Sequence, residues 1–513
     1  MEYVLIPEEI KITEIEENNC ALSPILFKRI NLKNKNVKPI SELMTGKPTP
    51  GKEVGSLAYT RLKSGCQFLR TKSINEDSFI LDINTVGSSE YIIPSYFNLN
   101  KGKNNERIVN TNDLLFVTGG NVGEVAISQF GGNIIFSSHI LKMPISNFKY
   151  YVFAFLKNSF CKAQANFGPI GSIAALDSFS VDTLLDIKIP FPNQSDKNQV
   201  ITFVELLVQA IINKENEINR KQNQLIYLIE KEIISNQIKS KFNYEYPTIR
   251  EIEQTSTRLE TGMYSIDFKQ LDYYLSNYSG GTSNLEELNY KVSRGQNLQI
   301  SSIGKSFYSS EEKKGFYRLA LSHNFSENAT IGKYVYLGNK NALKQIKKGD
   351  VIFSCRGVQF GRLLIFCENV GNTITNIDNL HIRNDKSFIE HKIFVGLFFN
   401  YLRFKGHLHR IAISGSGANS LTQYQINLVK FPNFEDTKIK EVSKLYYHDI
   451  KNDFTDVKSG NFLDYDNKWN MSAGIFQLDI SIKQMKEKLN TIIDLIILDK
   501  KVDVDFKFLR LIA

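Results

Sequence analysis

Two stretches of the chain carry apolar residues at a period of seven. In the first, Val204, Ile211, Ile218 and Leu225 recur in register, with Leu207 and Leu228 at the companion seam positions and Lys214 and Lys221 interrupting that second series. Asn193-Gln194-Ser195-Asp196 supplies capping side chains at the start, and neither glycine nor proline follows Pro192 until Pro247. The pattern predicts an amphipathic helix of about 40 residues, roughly 60 Å long. The second stretch begins with Ile439, Val442 and Tyr446, stops at a polar insert containing Gly460 and Gly474, and resumes as Ile475, Leu478, Ile482, Met485, Leu489, Ile492 and Ile496. A seam of that length is not left facing water, so the two helices are expected to pair with each other, antiparallel.

Outside the helical stretches the chain shows a period near 240 residues. Asn112-Asp113-Leu114-Leu115-Phe116-Val117-Thr118-Gly119-Gly120 matches Gly349-Asp350-Val351-Ile352-Phe353-Ser354-Cys355-Arg356-Gly357: a turn, a buried strand and a glycine-bearing loop. Upstream, Tyr59-Thr60-Arg61-Leu62 is echoed by Tyr317-Arg318-Leu319, and Ser41 to Gly46 by Val292 to Gly295. Downstream, Gly171-Ser172 leads to Lys188-Ile189-Pro190, as Ser414-Gly415-Ser416-Gly417-Ala418-Asn419 leads to Lys430-Phe431-Pro432. Four echoes in the same order imply internal duplication, with each copy running into one long helix.

Length and composition narrow the class without choosing a function. The 513 residues suggest two to four domains. Apolar, aromatic and charged fractions of 42%, 12% and 23% are those of a folded globular chain. The net charge of +9 permits a polyanionic partner without demanding one. Cys20, Cys66, Cys161, Cys355 and Cys367 form neither a disulfide framework nor a CxxC zinc pair. The first nine residues lack the basic start and apolar core of a secretory signal, and no apolar run reaches membrane-spanning length. A cytoplasmic protein with reduced thiols is expected.

The two-copy plan, the strand-and-glycine blocks around Asp113 and Asp350, the Gly415-Ser416-Gly417-Ala418-Asn419 loop and Lys188-Ile189-Pro190-Phe191-Pro192 running into a heptad helix resemble the specificity subunit of type I restriction-modification enzymes. The resemblance spans about Leu22 to Lys500, and its openings would be Leu22–Phe27 and Arg258–Tyr264, read as short helices. It implies an α+β architecture of two pseudo-repeated target recognition domains separated by two long antiparallel coiled-coil helices. The domains would fall at 1–192 and 258–433, the first spacer helix at 193–240, a linker at 241–257, and a second helical region at 434–513 with an insert at about 452–474. Each recognition domain would read one half of a bipartite, asymmetric site in double-stranded DNA. The helices would fix the gap and dock two modification subunits, which bind S-adenosylmethionine, and through them restriction subunits. This chain would bind no cofactor or metal, carry no catalytic residue and need no membrane. The broken second helix departs from the family's pattern.

Motifs for chemistry of another kind are incomplete in this sequence. No Pro-Pro pair exists, so the Asn/Asp-Pro-Pro-aromatic tetrad of an adenine methyltransferase is missing. Gly304-Lys305-Ser306 ends like a phosphate-binding loop, but Gln299 stands at the first glycine position. Asp186-Ile187-Lys188 lacks a preceding Pro-Asp pair and reads as a strand edge. His407 and His409 read as a surface pair on a strand, beside Arg403, Lys405 and Arg410. DNA contacts are expected from Arg61, Lys63, Thr118, Asn121, Arg318, Arg356, Arg362, Ser414, Ser416 and Asn419, polar side chains on the loops that carry the repeat. Each is also an ordinary solvated loop residue, and the neighbouring glycines suit tight turns regardless of DNA. Helix pairing is assigned to Val204, Leu207, Ile211, Ile218, Leu225, Ile475, Leu478, Ile482, Met485, Leu489 and Ile492. Two other readings stay open: a stand-alone methyltransferase or nuclease with a coiled-coil insert, and a scaffold that touches no nucleic acid.

Overall fold

The computed structural model describes residues 3–508 except 18–19, 21, 23–26, 84, 86, 166–179, 240, 255–260, 416–417 and 451–455. The chain divides into two compact units: residues 1–217, 451–471 and 481–513 form the first, and 218–450 with 472–480 the second. Among the described residues no helix is long and apolar enough to cross a membrane.

Among the described residues the first unit holds four small sheets, one of them a short pairing of Val4–Leu5 with Arg29–Ile30. Four antiparallel strands lie in the order Thr49–Pro50, Ile140–Met143, Leu114–Val117 and Val125–Ile127. A second sheet orders Ser89–Tyr91, Gln67–Leu69 and Ile134–Phe136, the last two parallel. A third pairs Val37–Pro39 with Lys188–Pro190. Every side chain of Leu114–Val117 is buried. Leu69, Leu115, Val117, Ala126, Phe136 and Ile140 form one continuous core, and removing this apolar area from water is the main driving force for the unit.

The second unit repeats that plan. Its first sheet orders Lys291–Arg294, Asn379–Arg383, Val351–Ser354 and Leu363–Ile365; its second contains Tyr317–Ala320 parallel to Thr373–Thr375; its third pairs Thr282–Ser283 with Phe431–Pro432. The second sheet gains one extra strand, Phe307–Ser309. The turn before the central strand is reproduced atom for atom: the Asp113 carboxylate accepts the Asn110 N–H at 2.7 Å, and the Asp350 carboxylate accepts the Lys347 N–H at 2.7 Å. The residue before each aspartate is left-handed, Asn112 at φ 68° and Gly349 at φ 86°, as these two residue types best tolerate.

Strand register corrects two of the four sequence echoes. Leu141 pairs with Phe116 and Pro50, and Leu380 pairs with Phe353 and Arg294. Val292–Gly295 therefore corresponds to Pro48–Gly51, not to Ser41–Gly46. Gly51 and Gly295 share one constraint: a Cβ would lie 2.1 Å from the Phe136 carbonyl oxygen and 2.2 Å from that of Asn376, respectively. Likewise Gln67 and Arg318 occupy the same place in the parallel pairing, so Tyr317–Leu319 matches Cys66–Phe68 rather than Tyr59–Leu62. Gly171-Ser172 and most of Leu22–Leu26 lie outside the described residues, as do Arg258 to Glu260; Thr261–Tyr264 is a single 3-10 turn before the helix Ile266–Ser276.

The first long helix runs Lys197–Ser235, 39 residues. Val204, Leu207, Ile211, Ile218 and Leu225 are buried, whereas Leu228 is half-buried and Ile229 and Ile233 replace it inside. The second long helix, Ile475–Ile497, buries Ile475, Leu478, Ile482, Met485, Leu489, Ile492 and Ile496. Within the first unit the two run antiparallel: Asn193 bonds to Asp499 at 2.8 Å, and further along Glu215 bonds to Lys486 at 2.9 Å. The helix Asp436–Tyr446 ends before the insert, and the insert contains a helix of its own, Phe462–Ser472.

That insert helix explains the charge in the seam. Lys214 is fully buried, its Nζ 2.6 Å from both Asp466 Oδ1 and Asn470 Oδ1 and 4.5 Å from the Trp469 ring centroid. Burial pushes the Lys214 pKa down, and Asp466 pulls it back. Lys221 is buried as well. Replacing Lys214 with methionine leaves Asp466 buried without its cation and is expected to cost about 3–5 kcal/mol in denaturant unfolding, whereas the K214M/D466L double replacement recovers most of that loss.

Candidate nucleic-acid interface

In the second unit, one end of the sheet that contains Val351–Ser354 gathers the polar loops. Antiparallel pairing places Arg294, Ser354 and Asn379 at that end together. The Arg294 guanidinium donates to Cys355 Sγ at 3.1 Å and to the Ile377 carbonyl at 3.3 Å. Arg356 follows on an exposed turn with Gly357 at φ 80°, and Val358 beside it is fully exposed. A hairpin, Ile413–Gly415 paired with Ala418–Ser420, docks here through an Arg356–Ser420 backbone bridge and a Leu421 N–H to Cys355 carbonyl bond of 3.0 Å. Ser414 is paired with Asn419 in the backbone register of that hairpin; Ser416 lies outside the described residues. The structure thus brings Arg356 together with the strand Ala418–Ser420, 62 to 64 positions away in sequence, and adds Arg294, which the loop pattern did not single out because it ends a strand.

The corresponding end of the first unit carries Thr118 and Asn121. The Thr118 N–H donates to the His139 carbonyl at 2.8 Å, and Asn121 is exposed between Gly120 and Gly123, both left-handed. Gly119 sits against the His139 ring, where a Cβ would come within 2.4 Å of Nδ1. Glu53 caps the same end by accepting from Ser137 and Ser138; burial pushes its pKa up, but these bonds more than offset that and hold it below the usual carboxylate range.

The remaining expected contacts lie elsewhere. Arg61 and Lys63 are exposed on a separate loop, ahead of Gln67–Leu69. Arg318 sits in the second sheet and forks onto Glu312 at 2.6 and 3.1 Å. Arg362 is engaged inside the unit, donating to the Phe325 carbonyl at 2.8 Å and pairing at 2.6 Å with Glu327, which Arg403 also binds.

Two readings of local sequence are corrected. His407 and His409 belong to a short helix, His407–Ile411, not a strand, and His407 is buried, stacked on Phe268 with ring centroids 4.3 Å apart. Burial, aided by Arg410 and Lys430, pushes the His407 pKa down to about 4. Gly304 closes a four-residue helical turn, and Asp186 caps the helix Val181–Leu185 at its C-terminus rather than forming a strand edge. Among the described residues no group of three His, Cys, Asp or Glu side chains could hold a metal ion.

No family model and no curated protein matches the chain. Solved structures that align with it include the type I restriction-modification S subunit from M. genitalium, 12% identical over 91% of this chain and 96% of that one, with a TM-score of 0.40. The HsdS subunit from Thermoanaerobacter tengcongensis is 12% identical over 90% of this chain and 96% of that one, TM-score 0.25. The type IIG restriction endonuclease BpuSI is 13% identical over 49% of this chain and 35% of that one, TM-score 0.27.

The geometry separates two arginines. Arg356→Ala is expected to weaken duplex binding by about 1–3 kcal/mol in a titration and leave thermal stability unchanged, while Arg362→Ala costs about 1–2 kcal/mol of stability. Because the folded-state pKa of His407 lies below the unfolded value of about 6.5, the unfolded chain takes up that proton first. Stability should accordingly fall as pH drops from about 6.5 towards 4, and His407→Leu should flatten that slope in urea midpoints compared at pH 7 and 5.

Proposed function

We propose that the chain is the non-catalytic DNA sequence-recognition subunit of a type I restriction-modification complex. Each sheet-rich unit reads one half of a bipartite, asymmetric duplex site, and the paired long helices set the gap between halves and dock two modification subunits. Those subunits would hold S-adenosylmethionine and engage the restriction subunits.

The observation that carries this reading is the duplicated strand topology. Two copies of one framework present polar loops at the same sheet end, Thr118 to Asn121 in one and Arg294, Arg356 and the 413–420 hairpin in the other. Shared framework with different loop side chains is what reading two unlike half-sites from one scaffold requires, since base edges are distinguished by donor and acceptor placement. A helical pair of fixed register suits a ruler, because it does not stretch under load as a flexible linker does.

The test is selection from a random duplex pool with the chain assembled on its modification subunits. A two-part motif with one gap length is expected, with affinity falling steeply as salt rises. A single contiguous motif, or no enrichment at physiological salt, overturns the reading. Methyl transfer from labelled S-adenosylmethionine to DNA by the chain alone would overturn its non-catalytic part.

A further inference from the structure

In each unit a carboxylate on one long helix binds a loop beside the sheet, with a companion side chain from the other. In the first unit the loop is Ser78-Phe79-Ile80. Glu215 Oε2 accepts the Phe79 N–H at 2.8 Å, the Ile80 N–H at 3.2 Å and the Ser78 hydroxyl at 3.0 Å. Its other oxygen accepts from Lys486 Nζ at 2.9 Å, and Lys486 also donates to the Asp77 carbonyl and lies 4.8 Å from the Phe79 ring centroid. In the second unit the loop is Asn328-Ala329-Thr330. Asp479 accepts from Asn328 Nδ2 at 2.6 Å and from the Thr330 hydroxyl at 2.5 Å, while Gln222 Nε2 donates to Asn328 Oδ1 at 2.7 Å.

The two loops are the same element of the repeat, since Ile127 N–H donates to the Phe79 carbonyl at 2.9 Å and Ile365 N–H to the Ala329 carbonyl at 3.0 Å. The helices, however, exchange roles. The first long helix gives the acid (Glu215) and the second gives its companion (Lys486) in the first unit. In the second unit the second helix gives the acid (Asp479) and the first gives the companion (Gln222). Glu215 to Asp479 and Gln222 to Lys486 are both shifts of 264 positions, and the same shift carries Ile211, Ile218 and Leu225 onto Ile475, Ile482 and Leu489. Glu215 and Asp479 are at most 9% exposed, where a carboxylate is costly unless donors surround it. Their retention inside an apolar seam, at matched positions and aimed at matched loops, is not needed for helix pairing itself.

We propose that Glu215 and Asp479 are positioning residues for DNA recognition, each locking one recognition unit onto the helical pair so that the gap between half-sites takes a single value. The proposal rests on the DNA-reading function above. The half-site sequences are read by other residues, so losing a clamp loosens the gap without changing what each half prefers.

The experiment repeats the random-duplex selection with the full complex carrying Glu215→Ala, Asp479→Ala or the milder Thr330→Val, which removes one donor to Asp479 and little volume. Leu207→Ala serves as control, a seam variant that loses stability without touching either loop. The clamp variants are expected to enrich the wild-type half-sites at two or more gap lengths and to bind the wild-type gap about tenfold more weakly; the control is expected to keep one gap. Clamp variants that keep a single gap, or a control that broadens as much as they do, overturn the proposal. Should either alanine variant fail to fold, Thr330→Val decides it alone. A wild-type complex that enriches no two-part motif overturns the functional reading instead.

Discussion

The architecture depends on one constraint: two helices with apolar seams of seven buried positions apiece cannot each be solvated. Burying a leucine or isoleucine side chain is worth about 1.5–3 kcal/mol, so leaving either seam exposed would outweigh the net stability of an ordinary domain. Pairing the helices antiparallel within one chain covers both at once. It also brings the C-terminal end of the second helix to the N-terminal sheet region, where Asn34 donates to the Ile496 carbonyl and Tyr3 to Asp494.

Polar groups inside that seam then do what apolar ones cannot. An apolar stripe tolerates a slip of one heptad, but Lys214 against Asp466 and Glu215 against the Phe79 and Ile80 amides satisfy their donors and acceptors in one register only. The buried charges therefore add specificity of arrangement more than stability. The same logic separates the arginines of the second unit. Arg362 and Arg403 are held by Glu327, whereas Arg356 stays at the surface, on the turn that bridges to Ser420.

What the sequence reveals follows from how local each signal is. The heptad stripes and the Asp-plus-apolar-strand blocks were legible because their causes, helical period and a turn closed by its own aspartate, span a few residues. The upstream echoes were placed wrongly because similar letters, Tyr-x-Arg-Leu and Tyr-Arg-Leu, outweighed strand register, which only pairing fixes. Lys214 read as an interruption because its partner stands 252 residues away in the insert. Glu215 and Asp479 gave no signal at all, since their loop donors are 135 to 151 positions distant. His407 was read as a surface residue because alternating His-Leu-His suits a strand face; packing against Phe268 placed it in a helix, inside.

In the proposed function the helical pair fixes the gap between half-sites. The most direct measurement of this is the gap selected by a complex in which one heptad is inserted in each long helix, after Glu217 in the first and after Ile480 in the second. Seven residues add about 10 Å of helix, close to three base pairs of duplex. The account predicts that the selected gap grows by about three base pairs while both half-site sequences stay as they were. A complex that selects the original gap despite the longer helices would contradict it.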